Sequence, residues 1–245
     1  MDIHAVWTKD VSQRLQARLM NCFTETFDQK KPENYFQWKF RDNPFGDSLH
    51  VYVEVDKTVV ASRAFWRMDV EDQVAYQCVD TAVLEAFRGR GVFSKTLDAA
   101  KQMLIENLIY NLPNNQSGPL YLRSGWETII ATESVRVSNK WMLERAPVID
   151  WNEKIISWRF ERHPSSQYFQ IRKGGNAYIL ARRRNNFYVL LGKTTHNVSL
   201  EERAPWFFFS YDKSVTGIPV KRCLPLMYYA NQCAPEVHRY LLDMA

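Results

Sequence analysis

Long apolar runs are missing from this 245-residue sequence. Nothing approaches the ~18 consecutive apolar residues that a bilayer-spanning helix needs, and the opening MDIHAVWTKD lacks the basic-then-apolar layout of a secretory leader. A cytoplasmic protein with no membrane partner is therefore expected. Cysteine is scarce too: Cys22, Cys78, Cys223 and Cys233 show no CxxC or other metal-ligand spacing, so they read as reduced, buried thiols rather than a zinc site or disulfide framework. His50, His163 and His196 stand alone, without a partner at metal or triad spacing. That removes zinc and Ser-His-Asp chemistry, and no metal is expected. Glycine amounts to 9 residues, and neither GxxxxGK(S/T) nor GxGxxG occurs around Gly89 and Gly91, which excludes a P-loop and a dinucleotide fingerprint.

What the sequence does contain is ordinary for a folded globular protein: 46% hydrophobic and 24% charged residues, with 8 Trp, 12 Tyr and 14 Phe to fill a core. The net charge of +5 is unevenly placed. Lys and Arg number 18 against 19 acidic residues up to Arg145, but 14 against 8 from Ala146 onward. The excess gathers at Arg172, Lys173 and Arg182-Arg183-Arg184, a solvated face or an anion-receiving one. No helix-turn-helix, RNA-binding or zinc signature accompanies it, so no nucleic-acid partner is expected.

Hydrophobic spacing predicts an amphipathic helix over residues 11 to 27, then strands over 50 to 55 and 58 to 65 joined at Asp56-Lys57. The meander continues over 67 to 71 and 74 to 83 through a turn at Asp72-Gln73. Arg88-Gly-Arg-Gly91 follows, then a helical pattern up to Asn107 and a short strand over 108 to 112 closed by Pro113. After Arg145 the chain restarts. WKFRDNP (38 to 44) is echoed by WRFERHP (158 to 164), each followed by a strand hairpin, the second over 168 to 191. The expected domains are 1–145 and a degenerate copy, 146–245, in which Gly174-Gly175 and Gly192 occupy turns and nothing replaces Arg88 to Gly91.

A phosphate-bearing cofactor needs converging backbone N–H groups, glycines that permit close approach and a helix N-terminus. Arg88 to Ser94, between a strand and a helix, supplies these, with Arg88 and Gly91 at the fixed places of (Q/R)xxGx(G/A). Val83-Leu-Glu-Ala-Phe-Arg-Gly-Arg-Gly-Val-Phe-Ser94 resembles the pyrophosphate loop of the GNAT acetyltransferases. Asn114, Ser117, Tyr121, Gly125 and Trp126 resemble that family's other cofactor motif, Nxx(A/S)xxxYxxxG(F/W). The resemblance covers roughly residues 34 to 127, with one departure: Phe93 stands where Gly or Ala is common.

The resemblance implies an α+β fold, with a mixed, mostly antiparallel sheet flanked by helices and a smaller second GNAT-like half. It implies an acetyl-CoA-dependent N-acetyltransferase that acts by direct attack in a ternary complex. In that family's terms, backbone groups of Thr81, Ala82 and Val83 serve the pantetheine arm, and Arg88, Gly89, Arg90, Gly91, Val92, Phe93 and Ser94 hold the pyrophosphate. Asn114 bonds pantetheine or orients the neighbouring loop, Ser117 begins the flanking helix, and Tyr121 protonates the leaving thiolate. Asp80 or Glu85 is a candidate base, with Asp80 expected to alternate away from Thr81 and Val83. For the acceptor, a small-molecule amine such as an amino sugar, the aromatic segment Tyr35, Phe36, Trp38 and Arg41 and the second half's Arg182 to Arg184 or Trp206 to Phe209 are candidates. The last of these reads more simply as a buried strand. A monomer or homodimer is expected, and a silent CoA-sensing module of the same fold is the alternative.

Overall fold

The computed structural model describes residues 1–70, 73–130, 133–138, 143, 146–182, 187–210, 218–222 and 226–229. These divide into two compact units, Met1–Ile129 with Leu226–Glu236, and Ile130–Pro225 with Val237–Ala245. The division falls earlier than Arg145, and each unit takes chain from both sides of it.

The first unit is a seven-stranded sheet. Its strands are β1 (Asp2–Trp7), β2 (Leu49–Val55), β3 (Thr58–Arg67), β4 (Ala75–Val83), β5 (Leu108–Asn111) and β6 (Glu127–Ile130), with a strand from far downstream, Leu226–Tyr229, lying between β5 and β6. β1 to β4 are antiparallel neighbours. Asp56 and Lys57 turn β2 into β3 with φ of 48° and 63°, the left-handed pair that a two-residue hairpin matched to strand twist requires. β4 and β5 run parallel and pair only from Ala75↔Leu108 to Gln77↔Tyr110. Past that point β4 stays paired with β3 but parts from β5, and the sheet opens.

Helices cover the sheet as the apolar spacing requires. Helix α1 (Gln13–Phe27) starts at Ser12, whose hydroxyl accepts the Leu15 N–H at 3.2 Å, the N-cap bond that satisfies one orphan donor. The expected start at Val11 is two residues early: Val11 is buried outside the helix. Helix α2 (Val92–Met103) ends before the expected Asn107, and the short α3 (Gly118–Arg123) follows β5. Leu97, Ala100 and Leu104 pack with Leu49, Phe65, Tyr121 and Trp126 into one core cluster. A π-helical turn, Gln37–Arg41, buries Trp38, Lys39 and Phe40, and Trp66 Nε1 donates to the Lys39 carbonyl at 2.7 Å.

The second unit carries β7 (Glu133–Ser138), α4 (Glu153–Ile156), β8 (Tyr168–Lys173), β9 (Asn176–Arg182), β10 (Tyr188–Thr194), β11 (Glu201–Glu202), β12 (Phe208–Ser210) and β13 (Ile218–Arg222). Their order in the sheet is β11-β8-β9-β10-β12-β7-β13; the strand completing the first sheet, Leu226–Tyr229, is β14. WRFERHP forms a second π-helical turn, Ser157–Glu161, burying Trp158, Arg159 and Phe160. Its hairpin turns at Gly174 and Gly175, again with φ of 57° and 78°. The two segments thus repeat one local order, π-turn then hairpin. Among the described residues no helix follows β10 as α2 follows β4.

Two sequence expectations need correction here. Gly192 is not in a turn but inside β10 at a bulge, where an added Cβ would lie 2.7 Å from Ile149 Cγ1 and 2.8 Å from the Pro147 carbonyl oxygen. Close packing explains this glycine. Nor is Trp206 to Phe209 uniformly buried: Phe208 is, but Trp206 is 93% exposed. Of the turn expected at Asp72-Gln73, Asp72 lies outside the described residues, and Gln73 bridges to Val70. Arg183 and Arg184 also lie outside them.

His50 has a structural place. It is buried on β2, stacked on Phe36 with centroids 5.4 Å apart. Thr8 Oγ1 donates to the Ser48 carbonyl, so it accepts the His50 Nε2 proton at 3.0 Å. Burial pushes the His50 pKa down to about 4, with Asp80 opposing. The folded state therefore binds fewer protons than the unfolded chain between about pH 4 and 6.5. This group's contribution is complete above pH 6.5 and is lost as pH falls toward 4. Urea unfolding at pH 7 and pH 5 should show a loss of about 2 kcal/mol from this residue, absent in His50→Gln.

Candidate functional site

Asp80 is where the sheet's regularity breaks. The β3–β4 register runs Ala64↔Val79 and then Ser62↔Ala82, so Asp80 and Thr81 together oppose Arg63. This is a β-bulge, a device that re-aims side chains beside sites, and Asp80 takes φ of 47° to make it. Strict alternation is lost, and Asp80 and Thr81 both face the same cleft; the expectation that Asp80 points away from Thr81 is corrected by this bulge.

The cleft measures about 1100 Å³ and opens where β4 and β5 part. Its walls come from the end of β4, the loop into α2, and the segment from Asn111 through α3. Part of the wall is Arg88, Gly89, Gly91, Val92, Phe93 and Ser94. Gly89 and Gly91 take φ of 72° and 73°, and a Cβ at either would touch nothing within 4 Å. Backbone conformation, not crowding, is what calls for glycine there. Gly91 caps α2, whose first N–H groups have no intrahelical acceptor and lie at the end of the helix dipole that favours negative charge. Arg88 is exposed, and its Nε donates back to the Val83 carbonyl at 3.1 Å.

Across the cleft, Asn114 Oδ1 accepts the Gln116 and Ser117 backbone N–H groups at 3.0 and 2.8 Å and the Ser117 hydroxyl at 3.0 Å. Of the two parts expected for Asn114, the loop-orienting one is the one these bonds perform. Tyr121 on α3 is 1% exposed and edge-on to Trp126 and Phe93, at 4.6 and 5.3 Å between centroids. Its hydroxyl bonds to the side chains of Cys78 and Asn111. Burial, followed by Cys78, drives its pKa up, and Arg63 opposes. Burial likewise pushes Cys78 up to about 12. Both groups therefore hold their protons at neutral pH.

Asp80 is gripped from the other side. Tyr35 Oη donates to its carboxylate at 3.2 Å, Lys39 Nζ lies 3.3 Å from Oδ2, and Lys39 also donates to Tyr35 Oη at 2.8 Å. Asp80 also borders a second cavity of about 30 Å³, shared with Tyr35, Phe36, His50 and Ser62. That is room for about one water.

The structure thus brings to one cleft Asp80, Thr81, Val83, Arg88, Gly89, Gly91, Val92, Phe93, Ser94, Asn114, Ser117 and Tyr121. Ala82 and Arg90 are not on its wall: Ala82 is buried and Arg90 leans over Phe87 at 5.5 Å. Glu85 is exposed in a 3-10 turn away from the wall. Trp38 packs against Trp66 and Arg41 is spent on the Val11 carbonyl. Sequence reasoning missed Lys39, Arg63, Cys78 and Asn111. A signal existed for Lys39 alone: its counterpart in the repeated heptapeptide, Arg159, is equally buried at 1%.

Residues 12–126 match the family described as acetyltransferase (GNAT) family. The chain carries a GNAT-family domain over that segment, which includes Arg88–Ser94 and Asn114–Trp126. Solved structures of similar fold extend over both units. A GCN5-related N-acetyltransferase from Kribbella flavida shares 14% identity with a TM-score of 0.57, covering 93% of this chain and 70% of its own. Another from Anabaena variabilis shares 13%, also at 0.57, over 92% and 72%. A probable N-acyltransferase from Enterococcus faecalis shares 10% at 0.56, over 93% and 72%. No curated protein matches the sequence. Among the described residues no helix is long and apolar enough to cross a membrane, and no group of side chains is arranged to hold a metal ion.

Proposed function

We propose that the protein is an acetyl-CoA-dependent N-acetyltransferase acting on a small amine. The observation that carries this reading is one cleft lined by the left-handed glycine loop before α2 and by Asp80 and Tyr121. The loop Arg88 to Ser94 fits a pyrophosphate, because glycines at positive φ let successive N–H groups turn toward one anion. Beyond Gln77 the edge of β4 that faced β5 is no longer paired with it, and it offers backbone groups to an amide-bearing pantetheine arm, as a strand edge does to a peptide. Bound acetyl-CoA would supply the activated acyl group. Asp80 takes the amine's proton, directly or through the water-sized cavity beside it, while Tyr121 gives one to sulfur. Both partners are then held in one complex, so direct attack is the reaction.

The test is a thermal-shift screen with acetyl-CoA and other acyl-CoAs, followed by CoA release over amino sugars, polyamines, amino acids and peptides. Stabilisation by acetyl-CoA with release on one amine class is expected. CoA binding without release for any amine would make the protein a CoA-sensing module. Gly91→Val should weaken CoA binding at least tenfold in calorimetric titration, because a β-branched residue resists φ of 73°. Its melting temperature should fall by about 2–4 °C, the strain amounting to about 1 kcal/mol or somewhat more. Asp80→Asn should reduce kcat by about 10²-fold with CoA affinity unchanged.

A further inference from the structure

Arg63 is the most anomalous side chain in the first unit. It projects from β3 opposite the bulge and is 1% exposed, yet Nε, Nη1 and Nη2 are all buried without a hydrogen-bond partner. Buried guanidinium groups are normally paired, because removing the charge from water is costly. Among the described residues its compensation is aromatic: the guanidinium carbon lies 4.0 Å from the Phe93 ring centroid and 5.8 Å from that of Tyr121, a cation–π arrangement. Phe93 is the residue that departs from the family's small one. Its ring lies against the guanidinium and also lines the cleft.

We infer that Arg63 is a positioning residue of the donor site, an unneutralised positive charge stored behind Tyr121 and Phe93 that stabilises the thiolate departing from the acyl thioester. This rests on the acyl-CoA reading above. In that reaction the amine nitrogen forms the new C–N bond and the C–S bond breaks with its electron pair on sulfur. A proton from Tyr121 reaches that sulfur, and the amine's proton leaves to Asp80 or water. Negative charge passes through sulfur, beside the Tyr121 hydroxyl, and a fixed cation in a low-dielectric wall acts on it without reorganising. The groups that titrate around Arg63 are few. On β4 there is Cys78, on α3 Tyr121, and Arg63 opposes the upward push of burial on both. The nearest carboxylate on these elements, Asp80, is already held by Lys39 and Tyr35.

The experiment compares the binding of CoA and desulfo-CoA from pH 7 to 9.5, which needs no acceptor. A bound thiol whose pKa is depressed gives CoA an advantage that is absent below the bound pKa and complete above the free one. About tenfold in the affinity ratio is expected, equivalent to one pKa unit. Arg63→Met should abolish this pH-dependent preference while melting at the same or a higher temperature, since it removes a lone buried charge. Arg63→Lys should retain most of the preference. An unchanged preference in R63M, its absence from the unmodified protein, or failure of R63M to fold overturns the role of Arg63 while leaving the donor site standing. If neither ligand binds the unmodified protein, the acyl-CoA reading itself is lost.

Discussion

Tyr121→Phe is expected to lower the rate of acyl transfer by about 10²-fold or more, with CoA affinity within about twofold of the unmodified protein. The ring makes the packing contacts with Trp126 and Phe93, and Phe keeps them. What is removed is one hydroxyl and its bonds to Cys78 and Asn111, about 1 kcal/mol of stability. The loss should therefore sit in kcat, because a proton donor contributes at the transition state and not to ground-state binding. Burial holds the phenol protonated at neutral pH, so raising or lowering pH by one unit around 7 should not restore the variant. Steady-state kinetics at several pH values, with CoA titration alongside, check the result. An activity unaffected by the substitution would remove Tyr121 from the mechanism.

A fragment ending at Arg145 is expected not to fold cooperatively. The sequence invites that cut, because the glycine loop, Asn114 and Tyr121 all precede it. The sheet does not permit it. β14 pairs with β5 through Met227↔Asn111, Tyr228↔Tyr110 and Tyr229↔Ile109, and it stands between β5 and β6. Without it, the edge of a strand whose Ile109 and Tyr110 are fully buried faces water, and β6 loses its neighbour. Exposed apolar edges of this kind pair with other chains. The fragment should aggregate or bind hydrophobic dye, with no sharp thermal transition by circular dichroism. Joining residues 224 to 231 to it through a flexible linker should restore solubility and a transition; a sharply melting fragment without them would show β14 to be dispensable.

The glycine loop and the Asn114-to-Tyr121 segment that line the cleft were legible because their determinants are local. A left-handed glycine pair before a helix and an Asn-to-Tyr spacing across one short helix are properties of consecutive residues. Asn114 binds the N–H groups two and three positions on, and sequence spacing carries that directly. The Lys39–Tyr35–Asp80 cluster was not legible, since Asp80 meets Tyr35 across 45 positions. The bulge that aims Asp80 depends on register between strands, which side-chain alternation in β4 alone does not reveal. Arg63 is the clearest case. A lone arginine in an apolar strand reads as a solvent-facing residue, and only its three unpartnered nitrogens against Phe93 mark it. Gly192 was misplaced for a similar reason, because glycine marks a turn in sequence while here it yields space to Ile149 and Pro147.

The position of β14 also sets a schedule. Chains usually complete N-terminal domains while later segments are still being made. Here the sheet that holds the cleft closes only after residues 226 to 229 have left the ribosome, when nearly the whole second unit already exists. The glycine loop and Tyr121 are therefore synthesised long before the sheet that supports them is complete. A ribosome stalled anywhere before Leu226 should display a chain that does not retain CoA, and the donor site should appear late and abruptly with nascent-chain length.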